Sequence, residues 1–153
     1  MDGYIQHPGE FELLPGVAAS IKTFRTCVET IVVVTNQRGI ARGLMTEEDL
    51  LLVHQCMEKD LQLEGAFVDR IFYCPHNRDT GCNCRKPKPG MALQAQAAFP
   101  KISFGKSLLI GDTATDMEMG QSLGMVCVHV GPEHVEPSLY DLHLPNLAAF
   151  WKN

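Results

Sequence analysis

Three thiols and an imidazole fall within eleven residues, in Cys74-Pro75-His76 and, five residues on, Cys82-Asn83-Cys84. Three soft thiolates plus one imidazole form a closed tetrahedral ligand set for Zn²⁺. With four protein ligands no position remains for water, so the spacing predicts a structural ion rather than a catalytic one. Free thiols beside a surface histidine would also fit the composition. Paired disulfides would fit poorly, because Cys82 and Cys84 stand too close for two separate bridges and nothing else indicates secretion. Directly after the cluster come Arg85 and Lys86, so a clamped loop would hold two cations still.

The remaining chemistry is oxygen and charge. Thr35 offers a hydroxyl and Asn36 an amide. Lys86 offers a point charge, and Arg85 a planar fork suited to phosphate. Asp112, after a glycine, is a hard oxygen ligand of the kind Mg²⁺ prefers. Asp116, one helical turn later, can order Mg²⁺-bound water or simply favour a helix start. Donors for phosphate oxygens plus a carboxylate for Mg²⁺ are the parts of phosphoryl transfer. Each residue alone has a plainer use, as a turn hydroxyl, a solvated charge or a helix cap. All of these plainer uses holding at three strand ends of one sheet is the weaker account.

The elements that must position these groups are legible as an alternation. Pro15 opens a helix through Val17, Ile21 and Phe24. Thr30 to Thr35 is a β-branched run typical of a buried strand, and a polar loop follows over residues 36–43. Thr46 caps a helix carrying Leu50, Val53, Met57 and Leu61 on one face. Arg70 to Tyr73 is a second strand running into the cysteine loop. A helix over Met91 to Ala98, a strand over Ser107 to Ile110, a helix over Thr115 to Leu123 and a strand over Met125 to Val130 follow. A short helix is expected near Asn146 to Trp151. Such alternation predicts an α/β fold, a Rossmann-like parallel sheet with helices on both faces and a zinc-stapled loop. Ligands in such sheets bind beyond the carboxyl ends of the strands, which selects Thr35, the cysteine loop, Gly111-Asp112 and the loop at Gly131.

The 153 residues are 45% hydrophobic and 20% charged, with net charge -5 and pI about 5.6. That balance argues against nucleic acid or an anionic membrane as the main partner. No apolar run approaches the ~20 residues of a membrane span, and no signal-peptide pattern opens the chain. The expected address is cytoplasmic. Cys27, Cys56 and Cys127 are expected to be buried thiols.

These residues resemble the haloacid dehalogenase superfamily of phosphatases, in its zinc-containing branch. Val34-Thr35-Asn36-Gln37 resembles the motif whose hydroxyl holds the phosphoryl group, Lys86 the lysine of the third motif, and Gly111-Asp112 with Asp116 the Mg²⁺-binding motif. Cys74, His76, Cys82 and Cys84 match the branch's zinc ligands. The resemblance implies structural Zn²⁺, catalytic Mg²⁺ on Asp112 with Asp116 behind it, and a sugar phosphate as partner. Thr35 and Lys86 would stabilise the phosphoryl group. Asp2, Gly3, Tyr4, Asn36, Gln37, Arg38 and Arg85 would meet substrate. The implied reaction is phosphomonoester hydrolysis on a sugar bisphosphate, a heptose 1,7-bisphosphate first and histidinol phosphate second. Thr113 stands where the heptose-acting members usually carry lysine.

The family also begins with a buried strand ending in Asp-x-Asp-Gly, which supplies nucleophile and general acid/base. No such motif occurs in these residues, and no apolar strand precedes Asp2-Gly3. The expectation is one N-terminally incomplete domain over 1–153, with its first central strand missing and no turnover alone. Losing a central strand would cost something comparable to the ~5–15 kcal/mol stability of a whole domain, so a longer chain, a rearrangement or a second chain is expected to fill the gap. A zinc-stapled, non-catalytic phosphate-binding module is the competing expectation.

Overall fold

The structure is a computed structural model that describes residues 4–152. The chain divides into two compact units, Met1–Cys82 and Asn83–Asn153.

The first unit holds helix α1 (Val17–Phe24), strand β1 (Val32–Asn36), the short helix α2 (Arg38–Ala41), helix α3 (Glu47–Leu63) and strand β2 (Arg70–Cys74). The β-branched run forms β1 as its composition predicts, and β1 pairs in parallel with β2. The register sets Thr35 beside Tyr73 and Asn36 beside Cys74. Thr46 caps α3: its hydroxyl accepts from the Asp49 amide at 3.0 Å, and the Asp49 carboxylate accepts from the Thr46 amide at 2.8 Å. The apolar stripes of α1 and α3 meet the sheet in a core of Ala18, Leu61, Ala66 and Val68, with Ile21, Val33, Met57 and Ile71 packed against it. Arg25 ties the far end together. It pairs with Asp69 at 2.5 and 2.8 Å, lies 3.9 Å over the Phe67 ring, and donates to the Glu29 carbonyl at 3.3 Å. Asp69 also accepts from the Ile31 amide.

The second unit holds helix α4 (Gly90–Ala98), strand β3 (Leu108–Gly111), helix α5 (Ala114–Ser122), and strands β4 (Val126–Val130) and β5 (Leu142–Leu144). The three strands form one parallel sheet in the order β3-β4-β5. Helix α5 lies against β3 and β4 closely enough that a Cβ at Gly120 would stand 2.6 Å from the Cys127 sulfur. Met91, Met117, Met119, Cys127 and Val128 are buried here. Gly90 opens α4 with its backbone against the Asn83 carbonyl, where a Cβ would lie 2.3 Å from the oxygen.

Parallel α/β construction is therefore observed, as two ladders, β1-β2 and β3-β4-β5. Three details differ from the sequence reading. The segment read as loop over 36–43 contains α2, whose single turn is too short to show a periodicity. Strand β5 was not anticipated, because three residues with His143 in the middle carry no strand signature. Cys27 is exposed rather than buried, since it lies just past the end of α1; Cys127 is buried as expected and Cys56 is half-buried.

Candidate functional site

The metal-binding candidate is formed by the loop that leaves β2. Ligand atoms of Cys74, His76, Cys82 and Cys84 all lie within 4.8 Å of one another. The Cys74 and Cys82 sulfurs are 3.7 Å apart, and the Cys74 sulfur is 3.5 Å from Nδ1 of His76. A tetrahedral zinc with ordinary bond lengths requires edges of about 3.8 Å between sulfurs and about 3.6 Å from sulfur to nitrogen. The residues therefore fit such an ion. Cys74 is fully buried, which keeps water from one side of the cluster.

Residues 85 and 86 follow directly. The Arg85 Nη1 atom is buried without a hydrogen-bond partner among the described residues. A guanidinium nitrogen in that state is ready to donate to an anion. Lys86 places Nζ 2.5 Å from Oδ1 of Asp116. The other Asp116 oxygen accepts from the Thr113 amide at 3.1 Å and from the Thr113 hydroxyl at 2.8 Å. Asp116 thus does two things at once: it closes the capping box of α5 and anchors Lys86. The Thr113-x-x-Asp116 spacing is that of a capping box, a signal not used in starting the helix at Thr115, and the pairing to a lysine thirty residues away has no sequence signal.

Asp112 follows the last residue of β3 and is exposed, so its carboxylate is open to a cation. The loop after β4 comes beside it: Gly131, at φ 101°, has its would-be Cβ direction 4.0 Å from the Asp112 Cβ. A side chain at 131 would be strained by that backbone. Next to Gly111 in register stands His129, buried and stacked 4.7 Å from His143.

In the first unit, Thr35 is the next-to-last residue of β1 and half-buried, with its hydroxyl accepting from the Gln37 side-chain amide at 3.0 Å. Asn36 and Gln37 lead into α2, and Arg38 begins it with a buried Nε that has no partner among the described residues. Tyr4 packs by the same turn: its ring is 3.7 Å from the Cβ direction of Gly39, and Arg42 lies 5.8 Å over it. Asp2 and Gly3 lie outside the described residues. Beside Thr35, Tyr73 donates to Glu47 at 3.2 Å and meets the edge of His54. Burial holds the His54 imidazole below its usual range.

Within each unit, then, the groups singled out from sequence cluster at the carboxyl ends of strands. Thr35, Gln37 and Cys74 do so in the first, and Lys86 meets Asp116 in the second.

The chain is similar to several known proteins. A family model described as HAD-hydrolase-like matches residues 83–141. The D-glycero-alpha-D-manno-heptose-1,7-bisphosphate 7-phosphatase of Mycobacterium tuberculosis is 36% identical over 120 residues, covering 78% of this chain and 63% of its own length. The D-glycero-beta-D-manno-heptose-1,7-bisphosphate 7-phosphatase of Vibrio cholerae is 36% identical over 130 residues, covering 80% of this chain and 69% of its own. Among solved structures, a D,D-heptose 1,7-bisphosphate phosphatase from B. bronchiseptica, complexed with magnesium and phosphate, superposes with a TM-score of 0.88 at 30% identity. That match covers 98% of this chain and 87% of the other. The chain spans 63% of the length of the mycobacterial relatives it matches. Shared sequence at this level, over most of the Vibrio enzyme and of the solved structure, makes the chain a member of the heptose-1,7-bisphosphate 7-phosphatase family of HAD-like hydrolases.

Proposed function

We propose that this chain serves a magnesium-dependent phosphomonoester hydrolase that removes the 7-phosphate of a heptose 1,7-bisphosphate. The observation that carries the reading is Lys86 held on the buried carboxylate of Asp116 directly after the cysteine loop. A lysine fixed in a nearly dry site is a donor for phosphoryl oxygens that need not reorganise as charge develops. Thr35 supplies a second donor at the end of β1, and the unpartnered nitrogen of Arg85 suits the fork to the rest of an anionic sugar phosphate. Asp112 is the residue that would hold Mg²⁺, which supplies neutralisation of phosphoryl charge when bound. Cys74, His76, Cys82 and Cys84 would hold structural Zn²⁺ and keep the cations after them in place. Asp116, with both oxygens engaged, acts on Lys86 and would reach the magnesium only through solvent.

In-line attack requires a carboxylate of the Asp-x-Asp-Gly kind, and no Asp-x-Asp occurs in these 153 residues. What they account for is phosphate-ester binding and transition-state charge; the nucleophile is not among them. The relatives named above carry heptose-bisphosphate names, which favours that substrate over histidinol phosphate. The test is Mg²⁺-dependent phosphate release from both substrates, by the chain alone and by the chain extended with an apolar strand ending in Asp-x-Asp-Gly. Release from the heptose bisphosphate by the extended chain only is the expected result. Release from neither substrate by either protein overturns the reading.

A further inference from the structure

Gln37 does not face outward as a free amide. Its Nε2 donates to the Thr35 hydroxyl at 3.0 Å. A threonine hydroxyl has one proton, and an oxygen that already accepts from a fixed donor points that proton elsewhere. Gln37 is fixed in turn at its backbone. Its amide donates to the Cys74 carbonyl at 2.8 Å, immediately beyond the last register pair of β1 and β2, Asn36 with Cys74. Cys74 is fully buried and its sulfur is enclosed by the cluster, so the anchor is rigid. The residue that aims the hydroxyl is thus tied to both strands of the sheet.

We propose that Gln37 is a positioning residue: it occupies the acceptor side of Thr35 so that the hydroxyl proton is presented to a phosphoryl oxygen, and it does not itself touch substrate. The inference rests on the reading of Thr35 as a phosphoryl donor. It assigns the glutamine a different task from the neighbouring Arg38, whose buried Nε has no partner among the described residues. Without Gln37 the hydroxyl turns freely among local acceptors, and its donation to phosphate is diluted rather than abolished.

The experiment is titration of the full chain with inorganic phosphate in the presence of Mg²⁺, followed by calorimetry. Four proteins accompany the unaltered one: Thr35→Val, Gln37→Met, Gln37→Ala and the double variant Thr35→Val with Gln37→Met. Methionine keeps the length and volume of glutamine and removes the donor, so it would rescue a purely structural role. The expected result is a loss of about fivefold to tenfold for Gln37→Met, the worth of one neutral hydrogen bond, and the same for Gln37→Ala. The double variant is expected to bind no more weakly than Thr35→Val alone, because both changes remove one donation. Losses that multiply place Gln37 on the ligand and overturn the inference. So does Gln37→Met binding like the unaltered chain while Thr35→Val is weakened. An unaltered chain that binds no phosphate, or a Thr35→Val variant that binds it normally, removes the phosphoryl-site reading itself and the inference with it.

Discussion

Lys86 Nζ and Asp116 Oδ1 stand 2.5 Å apart in side chains that are only 13% and 8% exposed. A pair this dry is costly to break from one side, because the surviving charge loses its counterion without regaining water. Asp116→Asn is expected to destabilise the chain by about 3 kcal/mol and to weaken phosphate binding. Denaturant unfolding and phosphate titration of the same variant check the two effects. An unfolding midpoint equal to that of the unaltered chain would show that Asp116 contributes nothing as an anchor.

The cysteine loop predicts a metal content. The purified chain should carry a single zinc ion, and Cys82→Ser should lose most of it. Removal by a chelator should lower the melting temperature by several degrees, because binding energy at a closed site is also folding energy. Elemental analysis and thermal melts measure both. Full zinc retention by Cys82→Ser would sink the four-ligand assignment.

Gly111 has no room for a side chain. A Cβ there would lie 2.5 Å from the Asp116 Cβ and 2.6 Å from its Cγ and Oδ2. Gly111→Ala should therefore cost about 2 kcal/mol and displace the carboxylate that holds Lys86. Gly105, with nothing within 4 Å of its Cβ direction, provides the comparison. Gly105→Ala should stay within about 0.5 kcal/mol of the parent. Equal effects at both positions would contradict the packing described for Gly111.

Arg25 and Asp69 give an acid-sensitive link in the first unit. Hydrogen bonds from Arg25 hold the Asp69 carboxyl below its usual range, against the opposing effect of burial, with further help from the Ile31 amide. The folded state therefore binds this proton less readily than the unfolded chain. The stabilisation is complete above the ordinary carboxylate value of about 3.9 and is lost as pH falls through the lower folded value. Asp69→Asn should cost about 1 kcal/mol near neutrality and flatten stability against pH below about pH 4. An unchanged acid limb, followed by unfolding at a series of pH values, would assign that sensitivity to other carboxylates.

Much of this architecture was legible because its signals are local. The Val32–Val34 run announces a strand, Thr46 with Asp49 a helix start, and the spacing of Cys74, His76, Cys82 and Cys84 a metal loop; each depends on a few adjacent residues. What the sequence concealed is relational. Nothing near Asp116 reveals that its first oxygen will be taken by Lys86. The hydrogen bond from Gln37 to Thr35 is equally hidden, because only the bend after β1 turns the glutamine back on the threonine. Strand β5 escaped notice because its formation depends on Val128 to Val130 of β4, not on the character of Leu142, His143 and Leu144.

The contact of Gly90 with the Asn83 carbonyl bears on how this protein can change over generations. Every single-base change of a glycine codon either keeps glycine, adds a side chain or stops the chain, and any side chain here begins with a Cβ that meets backbone, which cannot swing aside. Position 90 is therefore closed to gradual drift. Because Asn83 lies between Cys82 and Cys84, the start of α4 and the loop that presents Arg85 and Lys86 must be inherited as a block, and a lineage that remodels one is obliged to rebuild the other.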